Sequence, residues 1–110
     1  MSKPNIPIAC NMNALTDRAH HEKVGADLMP QAQTLTELTN GYRLDFPIEA
    51  LTRVVEFVDG ERRCCPFFHF TIDVQPMAKS VYLSITGSDE VKAFIKQELL
   101  PHVSHLAANQ

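Results

Sequence analysis

The chain has 110 residues, of which 45% are hydrophobic and 21% are charged, and its formal net charge is −3. This length and composition predict a single globular domain spanning residues 1–110 and exclude a disordered or fibrous chain. A net negative charge without a lysine/arginine cluster argues against nucleic acids and anionic membranes as partners. No apolar run has the length of a signal sequence or a membrane span, so we expect a cytoplasmic protein.

The first half of the chain predicts a strand, a helix and a β-hairpin. Residues 6–10 form a short apolar run typical of a strand, and residues 15–28 form the helix, which Pro30 ends. The buried side of this helix is expected to contain Leu15, Ala19 and Leu28. Residues 34–46 contain two β-rich runs around Asn40-Gly41, and this dipeptide is the strongest short-range signal for a hairpin.

The second half predicts a helix, two paired strands and a last helix. Pro47 opens the first helix and Pro66 ends it. Its apolar stripe is Leu51, Val54, Val55 and Val58, beside a row of Ala50, Val54, Phe57, Glu61 and Cys64. Residues 68–74 and 81–86 alternate apolar and polar side chains around a turn at 75–79. Ser88 caps the last helix, Pro101 ends or kinks it, and the tail beyond Leu106 is expected to fray.

The resulting order, β-α-β-β-α-β-β-α, predicts the α+β class. Strands joined by short turns pair antiparallel. We therefore expect a mostly antiparallel sheet with helices packed on one face. The last helix contributes an apolar stripe of Val91, Phe94, Ile95 and Leu99.

The most distinctive segment chemically is residues 61–68, which read ERRCCPFF. Glu61, Cys64 and Cys65 are expected to face one region, because residues i, i+3 and i+4 share a helix face. Pro66 makes Cys65 extended, so its sulfur turns back toward that of Cys64. A disulfide between them is disfavoured, because neighbouring Cα atoms are only about 3.8 Å apart. Arginines at 62 and 63 would lower a thiol pKa, whereas burial would raise it.

Two close thiols predict a thiolate site for a soft metal or metalloid ion, because thiolates select Cu(I), Zn(II) and related ions. In this hypothesis the metal ligands are Cys10, Cys64 and Cys65. Three sulfurs favour a trigonal ion such as Cu(I), Hg(II) or As(III), and adding Glu61 or His69 shifts the preference toward zinc. The other histidines are weaker candidates: His20 and His21 are expected to be exposed, and His102 and His105 lie in the fraying tail.

Residues 61–68, with Cys10 upstream and Val81-Tyr82-Leu83-Ser84-Ile85-Thr86-Gly87 downstream, resemble a group of small bacterial proteins. These share an E-x-x-C-C-P-F motif, an early cysteine and a late strand with an aromatic-Leu pair followed by Thr and Gly. The resemblance covers most of the chain. It implies that Cys10, Glu61, Cys64 and Cys65 belong together, and it implies no particular activity.

A second hypothesis treats the cysteines as core residues. The protein is then a small-molecule binding domain or a small enzyme, with a pocket between sheet and helices lined by Phe68, Phe70 and Tyr82. Glu61 would be its polar anchor or its general acid/base. Under either hypothesis, open sheet edges predict a homodimer, which sedimentation would test.

Overall fold

The computed structural model of the protein describes residues 11–107. Within them the helices and strands are α1 (Arg18–Leu28), β1 (Thr34–Leu38), β2 (Gly41–Pro47), α2 (Leu51–Cys64), β3 (His69–Asp73), β4 (Ser80–Thr86), α3 (Asp89–Leu99) and α4 (Ser104–Ala107). The strand predicted at residues 6–10 lies outside the described residues. Across residues 11–107, no helix combines the length and apolar character needed to cross a membrane.

The four strands form one antiparallel sheet in the order β1-β2-β4-β3. Leu44 of β2 lies opposite Leu35 of β1 and Leu83 of β4. Every second side chain of the two central strands is buried against the helices, namely Tyr42, Leu44, Phe46, Val81, Leu83 and Ile85. The helices therefore cover one face of the sheet, and the predicted α+β architecture is confirmed.

The predicted hairpin is present, but Gly41 serves a different purpose from the one that the Asn-Gly pair predicts. Leu38 pairs with Gly41, so Thr39 and Asn40 form the turn and Gly41 begins β2. No described glycine has a positive φ. A Cβ on Gly41 would instead collide with the backbone carbonyl of Ile85 in β4. Gly41 is therefore required for the close approach of two strands rather than for an unusual turn conformation.

The buried side of α2 is centred on the row that contains Cys64, and the predicted stripe is confirmed in part, since Leu51 and Val58 pack against the core. Val54, Phe57, Gly60 and Cys64 are buried. Val55, which was predicted to be buried, is 49% exposed. Because α1 packs on α2 and buried residues of both helices share one core with the sheet, the row at spacing 3–4 through Cys64 faces inward. The helix therefore points Cys64 inward.

Two predictions at the ends of the domain are corrected. Helix α1 begins at Arg18 rather than at residue 15, and Ala19 is exposed. The segment after Pro101 continues as a 3₁₀ turn and α4, with Val103 and Leu106 buried. The chain through Leu106 therefore packs on the core, while residues 108–110 lie outside the described part.

Candidate metal centre

The end of α2 gives the cysteine pair its geometry. Pro66 stops the helix at Cys64, and Cys65 takes φ −127° and ψ 72°, outside the helical region. The two Sγ atoms lie 3.6 Å apart, well beyond the roughly 2.05 Å of an S–S bond. The prediction that Pro66 turns the sulfur of Cys65 toward that of Cys64 is confirmed, and the two sulfurs are not bonded to each other.

The two sulfurs differ in chemical state. Cys64 is a free thiol, whereas Cys65 is disulfide-bonded. Both side chains are completely buried, and they form a small cluster with Leu15, Phe67 and Phe68. A site that uses both sulfurs as thiolates therefore requires the disulfide at Cys65 to be reduced. The third cysteine, Cys10, lies outside the described residues.

Cys64 belongs to a group of three potential metal ligands from two helices. His21 of α1 donates from Nε2 to Glu61 Oε2 of α2 over 2.7 Å. The thiol of Cys64 donates to the same oxygen over 3.8 Å. One ligand atom from each of the three side chains lies within 4.8 Å of the other two. Sγ of Cys65 is also nearby, 4.0 Å from Glu61 Oε1.

Gly60 makes room for the histidine. The ring of His21 lies against the backbone of α2, and a Cβ on Gly60 would be 2.7 Å from its Cγ and 2.5 Å from its Cε1. The ring also stacks on Phe57, with centroids 5.8 Å apart and planes inclined by 26°. The imidazole is only 6% exposed. A glycine inside a helix costs about 1 kcal/mol relative to alanine, and this contact explains its presence.

The electrostatic surroundings of Cys64 favour the protonated thiol. Burial, followed by the nearby carboxylate of Glu61, raises the pKa of Cys64 to about 11. Arg63 opposes this increase only weakly, and it is paired with Asp17 and Asp59. Arg62 is also paired with Asp59. The effect of burial on the pKa of Cys64 is therefore larger than the opposite effect of the arginines. Cys64 is a poor nucleophile at neutral pH.

An apolar cavity of about 620 Å³ adjoins this group. It lies between α1, α2, the sheet and α3, and both His21 and Glu61 form part of its wall. The other lining residues are Glu22, Gly25, Ala26, Met29, Phe57, Phe68, Ile85, Phe94, Ile95, Glu98, Leu99 and His102. A pocket between sheet and helices is thus present, and the carboxylate of Glu61 lies at its wall.

Of the three aromatic residues predicted to line this pocket, one lines the cavity and two lie elsewhere. Phe68 lines the cavity. Phe70 packs edge-on against Phe68, with ring centroids 5.9 Å apart, and does not belong to the lining. Tyr82 lies opposite Asp45, on the sheet face that the helices do not cover, where Arg43 stacks over its ring. Only Phe68 of the three is therefore placed to touch a molecule in this cavity.

The histidines are distributed differently from the sequence prediction. His69 is exposed at the start of β3, where it pairs with Thr86. His105 donates to the carbonyl oxygen of Ala32 over 2.9 Å, so it has a structural role. His20 is exposed beside Glu56, as predicted. His21, its neighbour, was predicted to be exposed and is instead the buried histidine of the site.

Sequence reasoning missed His21 although a signal was present. His21, Val24 and Leu28 follow each other at spacings of three and four residues, and all three are buried. That periodicity predicts one helix face. The sequence prediction started the helix at Leu15 and therefore assigned a different buried face, with Ala19 in the core and His21 exposed to solvent. Gly60 was the second signal, because a glycine in the interior of α2 costs about 1 kcal/mol relative to alanine and so indicates a close packing contact.

No protein-family model, no curated protein and no solved structure matches this chain.

Proposed function

We propose that the protein binds a thiophilic metal or metalloid ion at His21, Glu61 and Cys64. The observation that supports this most directly is the convergence of a nitrogen, an oxygen and a sulfur ligand atom within 4.8 Å. These are the ligand types of zinc and of softer ions. The group is not a chance surface cluster, because Cys64 and His21 are buried and the side chain of Glu61 is 18% exposed.

The spacing of the ligand atoms suits an ion after a small adjustment. Metal–ligand bonds of about 2.0–2.3 Å hold the ligand atoms of a tetrahedral ion roughly 3.3–3.8 Å apart. Glu61 Oε2 is already 3.8 Å from the sulfur of Cys64. On binding, the contact of 2.7 Å between Glu61 and His21 would open by about half an ångström, and ligand-atom separations of up to 4.8 Å would close by up to about 1 Å.

Cys65 and Cys10 extend the proposal to a thiolate-rich site under reducing conditions. Sγ of Cys65 is 3.6 Å from that of Cys64, so reduction of its disulfide would add a second thiolate beside the first. Cys10 remains a candidate because Asn11, the next residue in the chain, donates its backbone N–H to the Cys64 carbonyl over 2.8 Å. A cytoplasmic location belongs to the same proposal, because that compartment keeps thiols reduced.

The test is titration of the reduced protein with Zn(II), Cu(I), Hg(II) and As(III). Calorimetry and the thiolate-to-metal absorption band measure the binding of each ion. Cys64→Ser and His21→Ala should each weaken binding at least about tenfold, since even residues that only orient ligands contribute that much. His20→Ala is the matched control, because His20 is adjacent but exposed. Thermal melts of each variant separate loss of binding from loss of folding.

The outcomes distinguish the candidate ligand sets. Preference for zinc indicates that His21 and Glu61 act with the thiol, whereas preference for As(III) or Hg(II) indicates that sulfurs dominate. If folded Cys64→Ser binds every ion as the parent does, the proposal is wrong and the cysteines are core residues.

The cavity of about 620 Å³ supports small-molecule binding as a second candidate function. Its volume and largely apolar wall are typical of ligand pockets, with Glu61 as a polar anchor. A screen of small apolar compounds with the metal-free protein tests this function. Binding that is unaffected by Cys64→Ser would favour it over metal binding.

A further inference from the structure

The three potential ligands His21, Glu61 and Cys64, here called the metal-ligand group, share a wall with the cavity. His21 and Glu61 contribute ligand atoms to the group and also line the cavity. Cys64 contacts Glu61 from behind that wall. An ion held between the three ligand atoms would therefore lie at the inner surface of the cavity, with open space beside it. A bare ion needs no such space.

The cavity is suited to an organic group. Three phenylalanines, at positions 57, 68 and 94, face it together with Met29, Ile95 and Leu99. The rings of Phe68 and Phe94 are 6.0 Å apart, so the wall offers aromatic faces and edges to a ligand. Carboxylates of Glu22 and Glu98 are exposed and therefore lie at the solvent end, which favours entry of a cation over an anion.

The free thiol limits the number of sulfur bonds that a ligand can form. Cys64 is a free thiol, whereas Cys65 is disulfide-bonded. An inorganic mercury or arsenic ion takes two or three thiolates. An organomercury cation already has one coordination position filled by carbon and needs one thiolate. While the disulfide at Cys65 is intact, the site has one free thiol, weaker oxygen and nitrogen donors and an apolar cavity, and it matches the second kind of ion. The reduced form with two thiolates would instead suit the first kind.

We propose, on the basis of the function proposed above, that the ligand is an organometal cation whose organic group occupies the cavity. Binding is an exchange without oxidation or reduction. The Cys64 thiol loses its proton, and its sulfur forms a bond to the metal. The hydroxide that was bound to the metal takes that proton and leaves as water. Glu61 and His21 supply secondary contacts to the metal, and the carbon–metal bond stays intact.

The test compares phenylmercury with methylmercury, which carry an aromatic ring and a methyl group on the same metal. A Cys10→Ser/Cys65→Ser background leaves Cys64 as the single thiol of the chain. Competition with 2-mercaptoethanol then reports the affinity of each cation relative to a free thiol. We expect phenylmercury to be preferred by about ten- to a hundredfold, the range that burial of one aromatic ring provides.

Variants of the cavity wall test where this preference arises. Ala26 is exposed on α1 and lines the cavity, so Ala26→Phe should fill its entrance and abolish the preference for phenyl. Ala19→Phe is the matched control, because Ala19 is exposed on the same helix away from the cavity and the substitution is identical. Gly25→Leu is a second filling variant, because Gly25 is half-buried in the cavity wall.

The results distinguish the proposed organometallic ligand from the proposed metal site. Preference for phenylmercury that is lost in Ala26→Phe and Gly25→Leu but kept in Ala19→Phe supports the organometal ligand. Equal binding of the two cations, or a preference that survives both filling variants, overturns it while leaving the metal site intact. If neither cation binds more tightly than to 2-mercaptoethanol, the organometal proposal is wrong, and the inorganic titrations decide the metal site separately.

Discussion

Gly60→Ala tests the central contact of the site through protein stability. On intrinsic helix propensity alone, this change in the interior of α2 should stabilise the protein by about 1 kcal/mol. The structure predicts the opposite sign. The added Cβ would lie within 2.7 Å of three atoms of the His21 ring, so the ring must move and its bond to Glu61 is lost.

The magnitude follows from the bond that is broken. A hydrogen bond to a charged group contributes about 1.5–3 kcal/mol, and the propensity gain of about 1 kcal/mol offsets part of it. We expect a net destabilisation of about 0.5–2 kcal/mol, which lowers Tm by roughly 2–8 °C in a domain of this size. Urea unfolding of both proteins at one pH and one redox state measures it.

A control and a double-mutant cycle isolate the histidine. Gly25→Ala is the control, because its Cβ would be 3.6 Å from the nearest atom, a Phe57 ring carbon at ordinary contact distance, and this change should stabilise α1. In a His21→Ala background, Gly60→Ala should stabilise the protein by up to about 1 kcal/mol. The coupling energy between positions 21 and 60 is then roughly 1.5–3 kcal/mol. Stabilisation by Gly60→Ala in the parent protein would refute the packing of His21 on α2.

Two further changes test local features. Because the folded-state pKa of Cys64 is raised from 9.0 to about 11, its contribution to stability is present below pH 9 and is lost as the pH rises to about 11. Urea unfolding at pH 8 and pH 11 should therefore show the parent losing up to about 3 kcal/mol more than Cys64→Ser; equal losses would contradict the raised pKa. Met77→Gly should stabilise the protein by about 0.5–1 kcal/mol, because Met77 has φ 61° and is 99% exposed in its turn; a lower Tm for this variant would contradict backbone strain there.

The architecture was predictable because its signals are local. Alternating side chains identify β4, where Val81, Leu83 and Ile85 are buried and their neighbours are not. Ser88 accepts a hydrogen bond from the backbone of Val91 over 3.3 Å, so the predicted helix cap is confirmed. Pro66 ends α2 as predicted. Each of these features depends on residues within a few positions of each other.

The group formed by His21, Glu61 and Cys64 was only half predictable because it depends on the packing of two helices. Glu61 and Cys64 lie one turn apart on α2, and their proximity follows from helix geometry. His21 is 40 positions away from Glu61 in the chain. Its place in the site depends on which face α1 turns toward α2, and that face is set jointly by Val24, Leu28 and the glycine on the other helix. A single segment does not contain this information.

The charges around Cys64 are relevant to the proposed binding of a cation. The cysteine pair lies at the C-terminal end of α2, where the helix dipole places about half a negative charge, and Glu61 adds a carboxylate one turn earlier. Arg63, the residue before Cys64, already pairs with Asp17 and Asp59. The thiol therefore retains its proton and stays neutral, so that Cys64 adds no second negative charge beside Glu61. In the proposed site a thiophilic cation would replace that proton and also compensate Glu61, so the groups that make Cys64 a poor nucleophile would favour an exchange of its proton for a metal ion.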